Sequence, residues 1–203
     1  MLITHYRDKN RHKSRAIRDL VTLLEWQEQR PCFGCQLSCS CSQSVTCICD
    51  CTMTCQNAPA MHSSDPSGYP IETSVMPLVL ALSSLGVVQP CWSCEGHLDG
   101  LGRLHKIPQV WFYSDSALYP NIIAYYLSDL FTQKKTTYNW EVALCAHGYK
   151  NEITFTIKPN LIHESNKSLN LLQKDIRQIA ENLVQEVRSR SRKRLHDLQN
   201  AVG

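Results

Sequence analysis

A chain of 203 residues with an apolar share of 43% can bury a core of ordinary size, which excludes wholesale disorder and allows one domain plus an appendage. A net charge of +3 argues neither for nor against nucleic acid, although the basic residues gather at the two ends. The longest apolar run, Val75 to Leu82, is broken by Pro77 and falls far short of the roughly 20 residues that cross a bilayer, so no membrane span is predicted.

The first residues carry Arg7, Lys9, Arg11, Lys13 and Arg15 with no apolar run behind them, so no secretory signal is predicted and a reducing cytoplasm is the expected location. Residues 1–31 read as an N-terminal helical unit. Within 12–28, Ile17, Leu20, Val21 and Leu24 recur at i, i+3, i+4 and i+7, a one-sided helix that stops before Pro31. Residues 32–58 hold little that is apolar beyond Phe33, Leu37, Val45, Ile48 and Met53. Such a segment buries no core of its own and must take its order from bound metal or from docking. Ser, Pro and Gly mark 57–70 as a linker.

The remainder, 71–203, is predicted as an α+β domain with a small, mainly antiparallel sheet, helices packed on one face and a long C-terminal helix. Residues 71–85 read as a buried helix that Pro77 interrupts and Gly86 caps. Val87 to Ser93 reads as a strand, Glu95 to His105 as a glycine-bearing loop, and Pro108 to Ser114 as a second strand. Pro120 suits the first turn of a helix reaching about Gln133, with Ile123, Tyr126, Leu127 and Leu130 on one face. Thr137 to Cys145 and Ile153 to Lys158 read as a hairpin turning at His147 to Asn151. From about Ser168, Leu169, Leu172, Ile176, Ile179, Leu183 and Val187 form one helical stripe, and Arg188 to Arg194 reads as all surface beyond it.

Eight of the 11 cysteines, Cys32, Cys35, Cys39, Cys41, Cys47, Cys49, Cys51 and Cys55, fall in one short run. In a reducing compartment clustered thiols read as metal ligands rather than a disulfide framework. Zinc takes four thiolate or imidazole ligands, and C-x2-C or C-x-C spacing lets one turn supply two of them. The run would fill two all-thiolate sites, or a bridged trinuclear cluster with a ninth thiolate from Cys91 or Cys94. Iron–sulfur clusters are the alternative, although the common C-x2-C-x2-C-x3-C spacing is absent. The role expected for this run is structural. Its C-x-C-x5-C-x-C part, Cys39 to Cys49, resembles the cysteine-rich segment preceding SET domains, in geometry only.

Cys91, Cys94 and His97 form C-x2-C-x2-H, with Glu95 and Asp99 beside them. If Val87 to Ser93 is a strand, Cys91 and Ser93 share one face and Trp92 the other. Three readings stay open. The group completes or flanks the metal site of the first run, with Cys91 as a ligand. It forms a catalytic site, in which Cys94 is a nucleophile with His97 as its base or Glu95 is a general acid/base beside a metal. Or it is a turn in which Gly96 supplies a positive φ and the polar groups cap backbone.

Gly86, the run Trp92-Ser93-Cys94-Glu95-Gly96-His97 and the strand Val110-Trp111-Phe112-Tyr113 together resemble a motif of small bacterial and phage proteins. In those, a helix, a Gly, Ser-Cys-Glu-Gly-His and an aromatic strand follow in order. The resemblance covers residues 71–115 and implies no activity. The same segment is more distantly similar to the Ser-Ser-Cys-Ser-Gly-Arg of tRNA wybutosine-synthesis methyltransferases, but Glu95 and His97 replace a Ser and the Arg, so that chemistry does not carry over.

The sequence therefore predicts a metal-binding protein with structural zinc on the cysteine run and a hydrolytic or group-transfer site at Cys94, Glu95 and His97. One alternative is an iron–sulfur protein for electron transfer or cluster assembly. The other is a zinc-stiffened, non-catalytic module that binds nucleic acid or protein through Arg188, Arg190, Arg192, Lys193 and Arg194. No Gly-rich phosphate loop, H-E-x-x-H or G-x-S-x-G occurs, so nucleotide hydrolysis, zincin proteolysis and α/β-hydrolase chemistry have no support.

Overall fold

The stripe that begins at Leu169 runs far enough to organise everything else. In the computed structural model, which describes residues 9–26, 71–145, 153–162 and 167–200, it becomes one helix of 32 residues, Leu169–Asn200. The cysteine run Cys32–Cys55 and the hairpin turn at His147 lie outside the described residues.

Three other helices, α1 (Lys9–Glu25), α2 (Met76–Ser83) and α3 (Leu118–Thr132), each pack against this last helix, α4. On α4 the residues Leu172, Ile176, Ile179, Leu183 and Val187 are fully buried, as their spacing requires. On α1 the buried positions are Leu20 and Leu23, with Ile17, Val21 and Leu24 only half-buried, so the inward face is turned slightly from the expected one.

Pro77 corrects the expected 71–85 helix. It stands in the first turn of α2, where its missing N–H would have had no partner anyway, so it starts the helix rather than interrupting it. Residues 71–75 are thereby released into a turn, closed where the Val75 and Met76 N–H groups donate to the Glu72 carbonyl. Beyond α2, Gly86 takes φ +71, and the indole of Trp26 occupies the space a Cβ would need there.

Four strands form an antiparallel sheet in the order β1 (Val88–Cys94), β4 (Gln109–Ser114), β6 (Thr154–Pro159), β5 (Trp140–Cys145). Because β4 and β5 each run antiparallel to β6, they point the same way with β6 between them, and α3 makes the crossover as a split β–α–β unit. Val110, Phe112, Trp140 and Ile157 share the face that joins the helices in one core, which gives the α+β architecture with helices on one side. The other face of β6 is not open, since Thr154 and Thr156 are also buried. The expected glycine-bearing loop holds a small ribbon, β2 (His97–Leu98) paired with β3 (Leu104–Lys106). Asp99 closes it by accepting the Leu101 and Arg103 N–H groups and the Arg103 Nε–H. Those bonds, the Arg103 N–H first, hold its carboxyl below the usual carboxylate range.

The expectation that Arg188 to Arg194 is all surface is corrected. Helix α4 continues through the run, and Ser191 within it is 0% exposed. Arg190 reaches Asp129 at 2.8 Å and Glu186 at 3.4 Å and lies over the Tyr126 ring. Arg188 donates to the Trp26 carbonyl at 2.7 Å. Arg194, though exposed, donates to Asn121 Oδ1 at 3.3 Å, so three of the five cations are engaged by the fold, while Arg192 and Lys193 are exposed. Among the described residues no helix is long and apolar enough to cross a membrane.

Asp175 on α4 fixes the entry to β5. Its carboxylate, 2% exposed, accepts the Thr137 N–H at 2.8 Å, the Tyr138 N–H at 2.9 Å and the Trp140 Nε1–H at 3.1 Å. Removing it would leave those donors facing a void. Asp175→Ala should lower unfolding stability by about 3 kcal/mol in urea titrations, and Asp175→Asn by clearly less, because the amide oxygen still accepts.

Candidate metal centre

The centre is assembled where the end of β1 meets the turn before α2. Strand β1 carries a bulge: its pairing with β4 runs Pro90 to Phe112 and then Trp92 to Trp111, so the register shifts at Cys91. Ser93 and Trp92 keep opposite faces, but the extra residue breaks the simple alternation that would have set Cys91 beside Ser93. Trp92 and Trp111 meet edge to face at 5.5 Å, and the strand ends at Cys94, opposite Gln109.

Gly96 then turns the chain into the ribbon. Its φ of +85 suits glycine, and a Cβ there would stand 2.7 Å from Leu169 Cδ1 and 2.9 Å from Pro108 Cδ. The turn brings His97 back over Cys94. From the other side the 71–75 turn supplies Glu72, whose Oε1 is 3.1 Å from His97 Nε2. One donor atom each from Glu72, Cys94 and His97 lies within 4.8 Å of the others.

Two carboxylates lock the two segments together. The Glu95 N–H donates to Glu72 Oε2 at 2.7 Å, and the Ser74 N–H donates to Glu95 Oε2 at 2.9 Å. Gln173 on α4 donates to the Glu95 carbonyl at 3.2 Å, tying the site to the longest helix. The carboxylate of Glu95 is therefore turned toward the Ser74 amide, and Glu72 supplies the acid that meets His97.

The surroundings of Cys94 favour the neutral thiol. The residue is buried, and that desolvation pushes its thiol up from the ordinary 9.0; the Gly96 N–H opposes the shift, while Glu72 adds to it. Reactive cysteines need the reverse, a neighbourhood that favours thiolate. A divalent cation bound among these donors would supply it. Donors about 2.0–2.3 Å from one tetrahedral ion stand roughly 3.3–3.8 Å apart, so the observed gathering needs only small side-chain movement to close. The set of carboxylate, thiolate and imidazole suits zinc. Cys94 forms the floor, 4% exposed, while the His97 and Glu72 side chains are 43% and 35% exposed at the rim, so the site opens to solvent.

The structure thus brings together Cys94 and His97 of the expected group, places Glu95 beside them as a clamp, and adds Glu72. Cys91 is buried on β1 and is not one of the three converging donors. Glu72 has no local motif to announce it. Its one sequence signal is that it is the sole charged side chain in the otherwise apolar and small-polar stretch 71–85. No family model, curated protein or solved structure matches the chain.

Gly96→Ala should strain the turn and crowd Pro108 and Leu169 together. It is expected to lower stability by about 1–3 kcal/mol, which thermal unfolding checks.

Proposed function

We propose that the chain is a metal-binding protein with an open zinc centre formed by Glu72, Cys94 and His97. The observation that carries this reading is the convergence of those three donors within 4.8 Å at a solvent-facing rim. Three protein ligands with a free fourth position are the arrangement of catalytic zinc, whereas structural zinc is closed by four. Zinc in such a position lowers the pKa of bound water toward neutrality and polarises carbonyl or phosphoryl oxygens. The chemistry favoured is therefore hydrolytic. The protein's own part is to fix the ligands: Glu95 holds the Glu72 turn against the end of β1, and Gly96 aims His97.

The cysteines from Cys32 to Cys55 keep their separate reading as structural zinc ligands, and a reducing cytoplasm remains the location in which they would stay thiolates. Iron–sulfur ligation of that run is the alternative, and it would colour anaerobically purified protein brown.

Metal analysis of full-length protein made without chelator tests the centre. Glu72→Gln, Cys94→Ser and His97→Gln are each expected to lose one zinc per chain relative to the parent while keeping its helical circular dichroism and the remaining metal. Unchanged zinc in all three folded variants would refute the assignment.

A further inference from the structure

The ribbon that supplies His97 also places a cation beside it. In the β2–β3 pairing His97 stands directly opposite Lys106. Residues so opposed project to the same side with Cβ atoms about 4.5–5.5 Å apart, well within the reach of a lysine side chain. Lys106 is exposed and makes no ion pair among the described residues. Its neighbour Arg103 is already held by Asp99 at 2.8 Å. Lys106 is also near enough to Cys94 to act on that thiol in the sense opposite to Glu72.

We propose that the open side of this centre takes an oxyanion, a carboxylate or phosphate group, held between the bound ion and the Lys106 ammonium. This rests on the metal reading above. With a divalent ion in place, the Glu72 carboxylate and the Cys94 thiolate cancel its charge and His97 adds none. The Glu95 carboxylate keeps its negative charge while accepting the Ser74 N–H, so the surroundings are near neutral overall, and Lys106 is the cation that the ribbon sets opposite His97. An anionic oxygen donor at the fourth position would meet the ion and the ammonium together, whereas a cationic group would be repelled by Lys106. Substrates carrying an acidic group next to the bond that is cut fit this site.

Cobalt(II)-loaded, full-length protein provides the test. The visible spectrum of the parent minus that of Cys94→Ser isolates this centre from cobalt held on the cysteine run. Inorganic phosphate and acetate are titrated separately, with potassium chloride matched for ionic strength. The expected result is that at least one anion perturbs the difference spectrum and chloride does not. A response to phosphate alone assigns the phosphate class, and a response to acetate alone the carboxylate class. Lys106→Met should weaken the apparent affinity about 3- to 10-fold, and Lys106→Arg should restore most of it. If neither anion perturbs the spectrum, or Lys106→Met binds as tightly as the parent, the proposal is overturned. A parent spectrum identical to that of Cys94→Ser would instead remove the metal centre itself.

Discussion

Two carboxylates that exchange backbone amides hold this molecule's candidate site together. Glu72 accepts the N–H of Glu95, and Glu95 accepts the N–H of Ser74. Each is a hydrogen bond to a charged acceptor, a kind worth about 1.5–3 kcal/mol, and the pair acts on segments that would otherwise diverge. One segment is a turn leading into a helix and the other is the end of a sheet strand. The approach of His97 Nε2 to Glu72 Oε1 at 3.1 Å adds a third tie between the same turn and the ribbon.

The exchange is possible because the surrounding fold is rigid. Helix α4 runs the length of the core, and three other helices lie against it. The same helix reaches both the site, through Gln173 to the Glu95 carbonyl, and the entry to β5, through Asp175. Leu169 at its start lies where a Cβ on Gly96 would have to go. Core packing and site geometry therefore share residues, and a change in how α4 begins would be felt at His97.

The regular parts of the fold were legible because each has a period. The stripe from Leu172 to Val187 became the buried face of α4, and the aromatic and β-branched run from Pro108 to Ser114 became β4. The clustering of Cys94 and His97 was legible from C-x2-C-x2-H. What escaped was set by partners far off in sequence. Pro77 carries no mark to say whether it interrupts a helix or starts one, so the release of Glu72 into a turn was hidden. The bulge at Cys91 broke an alternation that strand periodicity assumes. Arg188 and Arg190 looked like a solvated run because Trp26, Asp129 and Tyr126, which engage them, come from elsewhere in the chain.

Of the sequence's two sulfur-bearing groups, only the second lies within the described residues, and there the decisive feature is a mixed donor set around a buried thiol. Burial and the neighbouring acid both work against thiolate at Cys94 unless positive charge arrives. That makes occupancy by a cation the central claim. Crystals of zinc-loaded protein, measured at the zinc absorption edge, test it most directly. The account predicts an anomalous peak about 2.0–2.3 Å from Cys94 Sγ, a ring nitrogen of His97 and a carboxylate oxygen of Glu72. Featureless density there, with zinc peaks present elsewhere on the same chain, would contradict it.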